Sequence, residues 1–202
     1  YPNKYEEAGL SYNPFKAIVS PRPIGWISSR SSDGFINLAP YSFFNAISEQ
    51  PPMVMFSSAP KNEKSLGKDS LLNIKDTEEF VVNIVSYALR EKMNITSKNY
   101  PREINEFEKA GIEMGQCKTV SVPFVKLAPA SLECKLWKTL TLPERPDGSR
   151  ATMIMGIVTG INIDESVIRH GKIDVTLYQP IARLGYYDYS HVEDTFSMRR
   201  PK

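Results

Sequence analysis

The chain has 202 residues, 41% of them hydrophobic, which suits one globular domain with a sizeable core. Its 25 basic and 23 acidic residues give a net charge of +2 and are spread along the chain, leaving no electrostatic footprint for nucleic acid or an anionic membrane surface. No apolar run approaches the ~20 residues that span a bilayer. Cys117 and Cys134 are too few for a disulfide scaffold and lack a zinc-ligand pattern, so both are expected as reduced thiols. A single domain over residues 1–202 in the cytoplasm is the default these numbers permit.

Taken in chain order, Ile24 to Ser29 reads as a short strand, and Asp33-Gly34 is the dipeptide that tight hairpins favour, because glycine accepts positive φ without steric cost. Phe35 to Phe44 is the expected return strand. Within it Asn37, Ala39 and Pro40 interrupt the bulky β-formers: a small residue lets a ligand approach the backbone, and proline removes a ladder donor. Met53 to Ser57 and Glu79 to Val85 are short apolar runs expected as buried strands, with a helix between them at Lys68 to Lys75. Further helices are expected at Ser86 to Thr96, where Leu89 and Met93 stand one turn apart, and at Pro101 to Ala110, stopped by Gly111. Ser131 to Lys135 alternates, placing Leu132 and Cys134 on one face and Glu133 and Lys135 on an exposed one. Asp147-Gly148 then turns the chain into a long strand from Thr152 to Asp164, whose Gly156 and Gly160 permit curvature. With no repeat and no Gly/Ser linker, the pattern suits a closed barrel with helices packed outside it.

Three blocks, in order, resemble a known family. The first is Arg22-Pro23, Ser28-Ser29, Asp33-Gly34, Asn37, Ala39-Pro40, Ser42-Phe43-Phe44, Ser48 and Pro51-Pro52. The second is Lys68-Asp69-Ser70, Asn73-Ile74 and Glu79-Phe80-Val81-Val82-Asn83, with serine where threonine is usual. The third is Pro180, Ala182-Arg183-Leu184-Gly185 and Tyr189, with Tyr186 in place of the usual second glycine. Spanning Asn13 to Tyr189, this run is similar to the flavin reductase-like family of FMN-binding split barrels, which includes reductase components of two-component monooxygenases and flavoredoxin. The resemblance implies a mainly β fold with peripheral helices: a six-stranded antiparallel Greek-key split β-barrel that binds FMN. It also implies a homodimer, NAD(P)H as hydride donor, and a partner monooxygenase or electron-transfer protein.

FMN brings a phosphate dianion, a polar ribityl chain and a flat ring tuned by hydrogen bonds at its edge. For the phosphate, Ser28, Ser29, Ser57 and Ser58 offer hydroxyls, and Lys68 and Ser70 stand where a helix begins. For the ring edge, the backbone of Asn37, Leu38, Ala39, Pro40, Tyr41 and Ser42 offers N–H and C=O groups, and Trp26, Tyr41 and Phe44 could pack on the ring. Each has a plainer role. Serines at strand ends form turns, Asp69 or Ser70 caps a helix, Asn37 fixes the turn after Asp33-Gly34, Trp26 fills a core or dimer interface, and Arg183 makes a rim ion pair rather than steering a nicotinamide phosphate or flavin.

Acid–base candidates are scarce. His170 and His191 are the only histidines, and neither accompanies a nucleophile and an acid, so a hydrolytic triad is not indicated. Hydride transfer to a flavin needs stacking and orientation more than a protein proton donor, which this scarcity suits. The expected activity is therefore NAD(P)H-dependent flavin reduction without a catalytic side chain. A flavoredoxin-like carrier, a pyridoxine phosphate oxidase of related architecture, and a barrel that binds an apolar ligand instead of flavin stay open.

Overall fold

β-branched and aromatic residues concentrate in seven segments that hydrogen-bond into one antiparallel sheet: β1 (Gly25–Arg30), β2 (Ile36–Tyr41), β3 (Phe44–Glu49), β4 (Pro52–Ser58), β5 (Glu79–Ile84), β6 (Ala130–Glu144) and β7 (Arg150–Ile163). The computed structural model describes residues 4–60 and 67–201. Strand order is β2-β1-β5-β6-β7-β4-β3. Only Ser42-Phe43 separates β2 from β3, so one bent segment pairs with β1 at one end of the order and with β4 at the other. That bend closes the sheet on itself.

Alternation along β1 sends neighbouring side chains to opposite faces and fills two cores. Ile27 joins Tyr41, Val54, Phe56, Phe80, Val82 and Ile154 in one cluster. Trp26 points the other way, into a cluster with Leu38, Val85, Leu89, Met93 and Phe107 that the helices cover. Its indole is fully buried, and its N–H donates to Thr96 Oγ1 at 2.8 Å. Trp26 is thus neither a ring-stacking residue nor a dimer contact.

Helix α1 (Asp69–Thr77) falls where expected, while the second expected helix is a 3₁₀ turn, Tyr87–Leu89, followed by α2 (Arg90–Ile95). The third is shorter than its sequence suggested. Asn105 is extended and its side chain accepts from Phe107 N, so α3 (Glu106–Lys109) begins only there. The β6–β7 ladder shifts register between Met155 and Gly156 and between Val158 and Gly160. A side chain at Gly156 would collide with the Phe80 ring, and one at Gly160 would meet the Glu133 carboxyl at 3.0 Å. Both glycines therefore sit where the strand bulges around a neighbour.

Glu133 corrects the half-exposed reading of β6. It is 1% exposed, because the Lys118 and Thr119 backbone and Asn162 from β7 close over it. Near the C-terminus, Ile181–Arg183 pairs with Arg22–Pro23 on one side and Tyr189–His191 on the other. In the loop between, Tyr186 takes φ 53°, the left-handed conformation that the glycine usual in the family adopts without strain. Among the described residues no helix is long and apolar enough to cross a membrane.

Candidate functional site

Strand β2 ends the ladder order, and among the described residues β1 is its only strand partner, so its second edge presents backbone groups that no described strand pairs with. That edge meets α1, the segment after α2, and α3 in a polar cleft lined by Asn37, Ala39, Pro40, Tyr41, Lys68, Ser70 and the stretch from Thr96 to Tyr100. Beneath it runs a buried chain of hydrogen bonds. Tyr41 OH donates to Ser70 Oγ at 3.1 Å, Ser70 Oγ donates to Asn37 Oδ1 at 2.5 Å, and Asn37 Nδ2 donates to Glu106 Oε1 at 3.0 Å. The second carboxylate oxygen of Glu106 accepts from Leu38 N at 3.0 Å, which uses one donor of the free β2 edge. Burial pushes both acids up, the Tyr41 phenol and the Glu106 carboxyl, with hydrogen bonds pulling the other way.

The structure divides the expected site residues into two groups. Lys68, Ser70 and the β2 backbone from Asn37 to Tyr41 meet at the cleft, and the Lys68 ammonium lies 5.4 Å from the centre of the Tyr41 ring. Ser42 is half-buried at the bend that follows. Ser57 is half-buried at the end of β4, with its N–H donating to Phe43 O at 2.9 Å. Ser58 is 1% exposed, and its Oγ, beside the Tyr41 hydroxyl, finds no well-formed hydrogen bond among the described residues. An orphaned hydroxyl there, with Lys68 and Ser70 around the same tyrosine, suits an anion such as a phosphate.

The second group faces inward. Ser28 is fully buried, donating to Pro123 O at 2.6 Å and accepting from Asn83 Nδ2 at 3.2 Å. Ser29, also fully buried, accepts from Asn73 Nδ2 at 3.2 Å. These hydroxyls sit inside the ladder, not at strand ends. Asn37 likewise does not fix the hairpin turn: its amide is held by Glu106 and Ser70, leaving the strand's backbone, not its side chain, toward the cleft. Arg183 makes no rim ion pair among the described residues either: its guanidinium donates to the Tyr189 hydroxyl and the Tyr186 carbonyl.

Glu106 and the wall from Thr96 to Tyr100 were missed by sequence reasoning. The available signals were the polar run Thr96–Asn99 between two helical segments and an acidic residue directly after a capping asparagine. Among the described residues no histidine or cysteine forms a nucleophile–base pair. His191 Nε2 contacts Glu193, His170 lies exposed in a turn, and burial holds the Cys117 thiol up at about 12 and raises that of Cys134 as well. The arrangement can hold an anion and read the edge of a polar ring.

The comparisons with known proteins cover nearly the whole chain. Residues 19–189 match the flavin reductase like domain. An uncharacterized protein of Aquifex aeolicus (strain VF5) is 40% identical over 187 residues, 91% of this chain and 92% of its own. Nitrilotriacetate monooxygenase component B from Bacillus cereus superposes with a TM-score of 0.88 at 29% identity, covering 98% of this chain and 96% of that one. The 2-nitrobenzoate 2-nitroreductase NbaA from Pseudomonas fluorescens gives 0.80 at 31% identity, with 96% and 94% covered.

Proposed function

The chain belongs to the flavin reductase-like domain family, and from that premise we propose that it is a single-domain FMN-binding flavin reductase that draws hydride from NAD(P)H. The observation that carries this reading is the outer β2 edge, which no described strand pairs with, opening on a cleft with Lys68 and Ser70. Ser57, Ser58, Lys68 and Ser70 would hold the FMN phosphate. The Leu38 and Pro40 carbonyls on that edge, with Ala39, Tyr41 and Ser42 beside them, would read the ring edge, leaving Ser28, Ser29 and Asn37 to fix the strands behind them. Bound FMN supplies the capacity to accept and release hydride. The protein's share is to orient the ring and fix the phosphate by charge-assisted hydrogen bonds, each worth about 1.5–3 kcal/mol.

The cleft encloses only about 30 Å³, so a flavin ring would lie along its mouth and not inside it. A second subunit covering that exposed ring face would exclude water, and Phe43, exposed beside the bend, is suited to such a contact. The working form is therefore a homodimer in the cytoplasm, which sedimentation tests: a monomer that binds flavin tightly contradicts it. Likeness to a monooxygenase component over almost the full chain supports a role in delivering reduced flavin to a partner monooxygenase. The test of the reductase activity is steady-state oxidation of NADH and of NADPH with FMN added. Catalytic turnover with at least one donor is expected. Flavin binding without turnover of either would make the protein a carrier reduced by another protein.

A further inference from the structure

A cavity of about 350 Å³ lies between α2 with its preceding turn and the C-terminal strands, and it shares no lining residue with the polar cleft. Its floor includes the buried Met93 and Ile181, and its walls are aromatic and cationic. The Tyr87 and His191 rings stack with centroids 4.2 Å apart at 28°, and the Arg90 guanidinium lies 3.9 Å from the centre of the Tyr87 ring. Also lining the cavity, the Arg183 guanidinium lies 4.4 Å from the centre of the Tyr189 ring. Both arginines are therefore ordered on aromatic faces before any ligand arrives.

Their hydrogen bonding leaves capacity to spare. Arg90 donates to Tyr87 O at 2.8 Å and lies 3.6 Å from Glu91, and Arg183 donates to the Tyr189 hydroxyl and Tyr186 O. A guanidinium has five N–H donors in a planar fork, more than these partners use, and the fork matches a carboxylate's two oxygens. The charged lining consists of two arginines against one carboxylate, Glu91, with His191 turned toward Glu193. That balance favours a monoanion over a dianion. The volume stands near the lower end of ligand-pocket sizes, about 300–1,000 Å³, which suits one ring and not a dinucleotide.

We propose that this cavity binds a planar, single-ring aromatic carboxylate, with the carboxylate between Arg90 and Arg183 and the ring against Tyr87 and Tyr189. The inference does not depend on the flavin reading. The test is isothermal titration of the purified protein with benzoate, benzamide, cyclohexanecarboxylate and inorganic phosphate, each with and without saturating FMN. Saturable benzoate binding is expected, unchanged by FMN. Benzamide, cyclohexanecarboxylate and phosphate should each bind at least about tenfold more weakly, having lost the charge, the ring or the geometry. Arg90→Gln, at a partly exposed position, should cost a similar factor, and Tyr87→Leu supplies a second variant that removes the ring and keeps the charge. No saturation with benzoate, equal binding of benzamide, or unchanged affinity in both variants would overturn the proposal. Benzoate binding abolished by FMN would also overturn it, by assigning the cavity to the flavin.

Discussion

Asn37 is 8% exposed, and its single carboxamide bridges two elements, accepting from Ser70 on α1 and donating to Glu106 on α3. Truncation would leave a buried hydroxyl and a buried carboxylate each short of a partner, at a cost of about 1–3 kcal/mol. Asn37→Ala should therefore lower the melting temperature of the flavin-free protein by roughly 2–12 °C, taking about 2–4 °C per kcal/mol for a chain of this size. A melting temperature within a degree of the parent, together with weakened flavin binding, would instead give Asn37 a direct ligand contact. Composition and motif picked out Asn37 but not its partner Glu106, which stands 69 positions away and comes into reach only through the fold. The same limit applies to Ser28, Ser29 and Trp26. A residue's type shows what it can donate, whereas the face of the strand it occupies decides whether a ligand can reach it.

Elements were legible wherever local chemistry decides them. Gly34 at φ 90° and Gly148 at φ 77° turn the two hairpins their Asp-Gly pairs announced, and α1 lies between β4 and β5 as the pattern suggested. Legibility ended where another element supplied the reason, as at Glu133, whose alternation pointed to solvent. Burial alone would raise its carboxyl, but donation from Thr119, Asn162 and Lys118 outweighs this and holds it down at about 2, against an ordinary value of 4.5. A folded value below the unfolded one stabilises the protein above the unfolded value, and that stability is lost as pH falls through the folded one. Denaturant melts should show β6–β7 stability dropping between pH 4.5 and about 2, on the order of 3 kcal/mol, and Glu133→Gln should flatten that limb. An unchanged acid limb in the variant would show that Glu133 is not the group responsible.

At the scale of the whole molecule, the closed barrel depends on the bend at Ser42-Phe43, which lets one segment pair at both ends of the strand order. No turn dipeptide marks it, and the stretch from Phe35 to Phe44 reads as a single return strand. Closure nevertheless leaves the outer edge of β2 without a strand partner among the described residues, between α1 and α3, and that edge is the basis of the proposed flavin site. The most direct test is titration of the flavin-free protein with FMN and with FAD, followed by quenching of flavin fluorescence. The proposed site, with Lys68 and serine hydroxyls for a terminal phosphate, predicts saturable binding of FMN at one per chain and markedly weaker binding of FAD. Equal affinity for the two flavins, or no saturable binding of FMN, would contradict it.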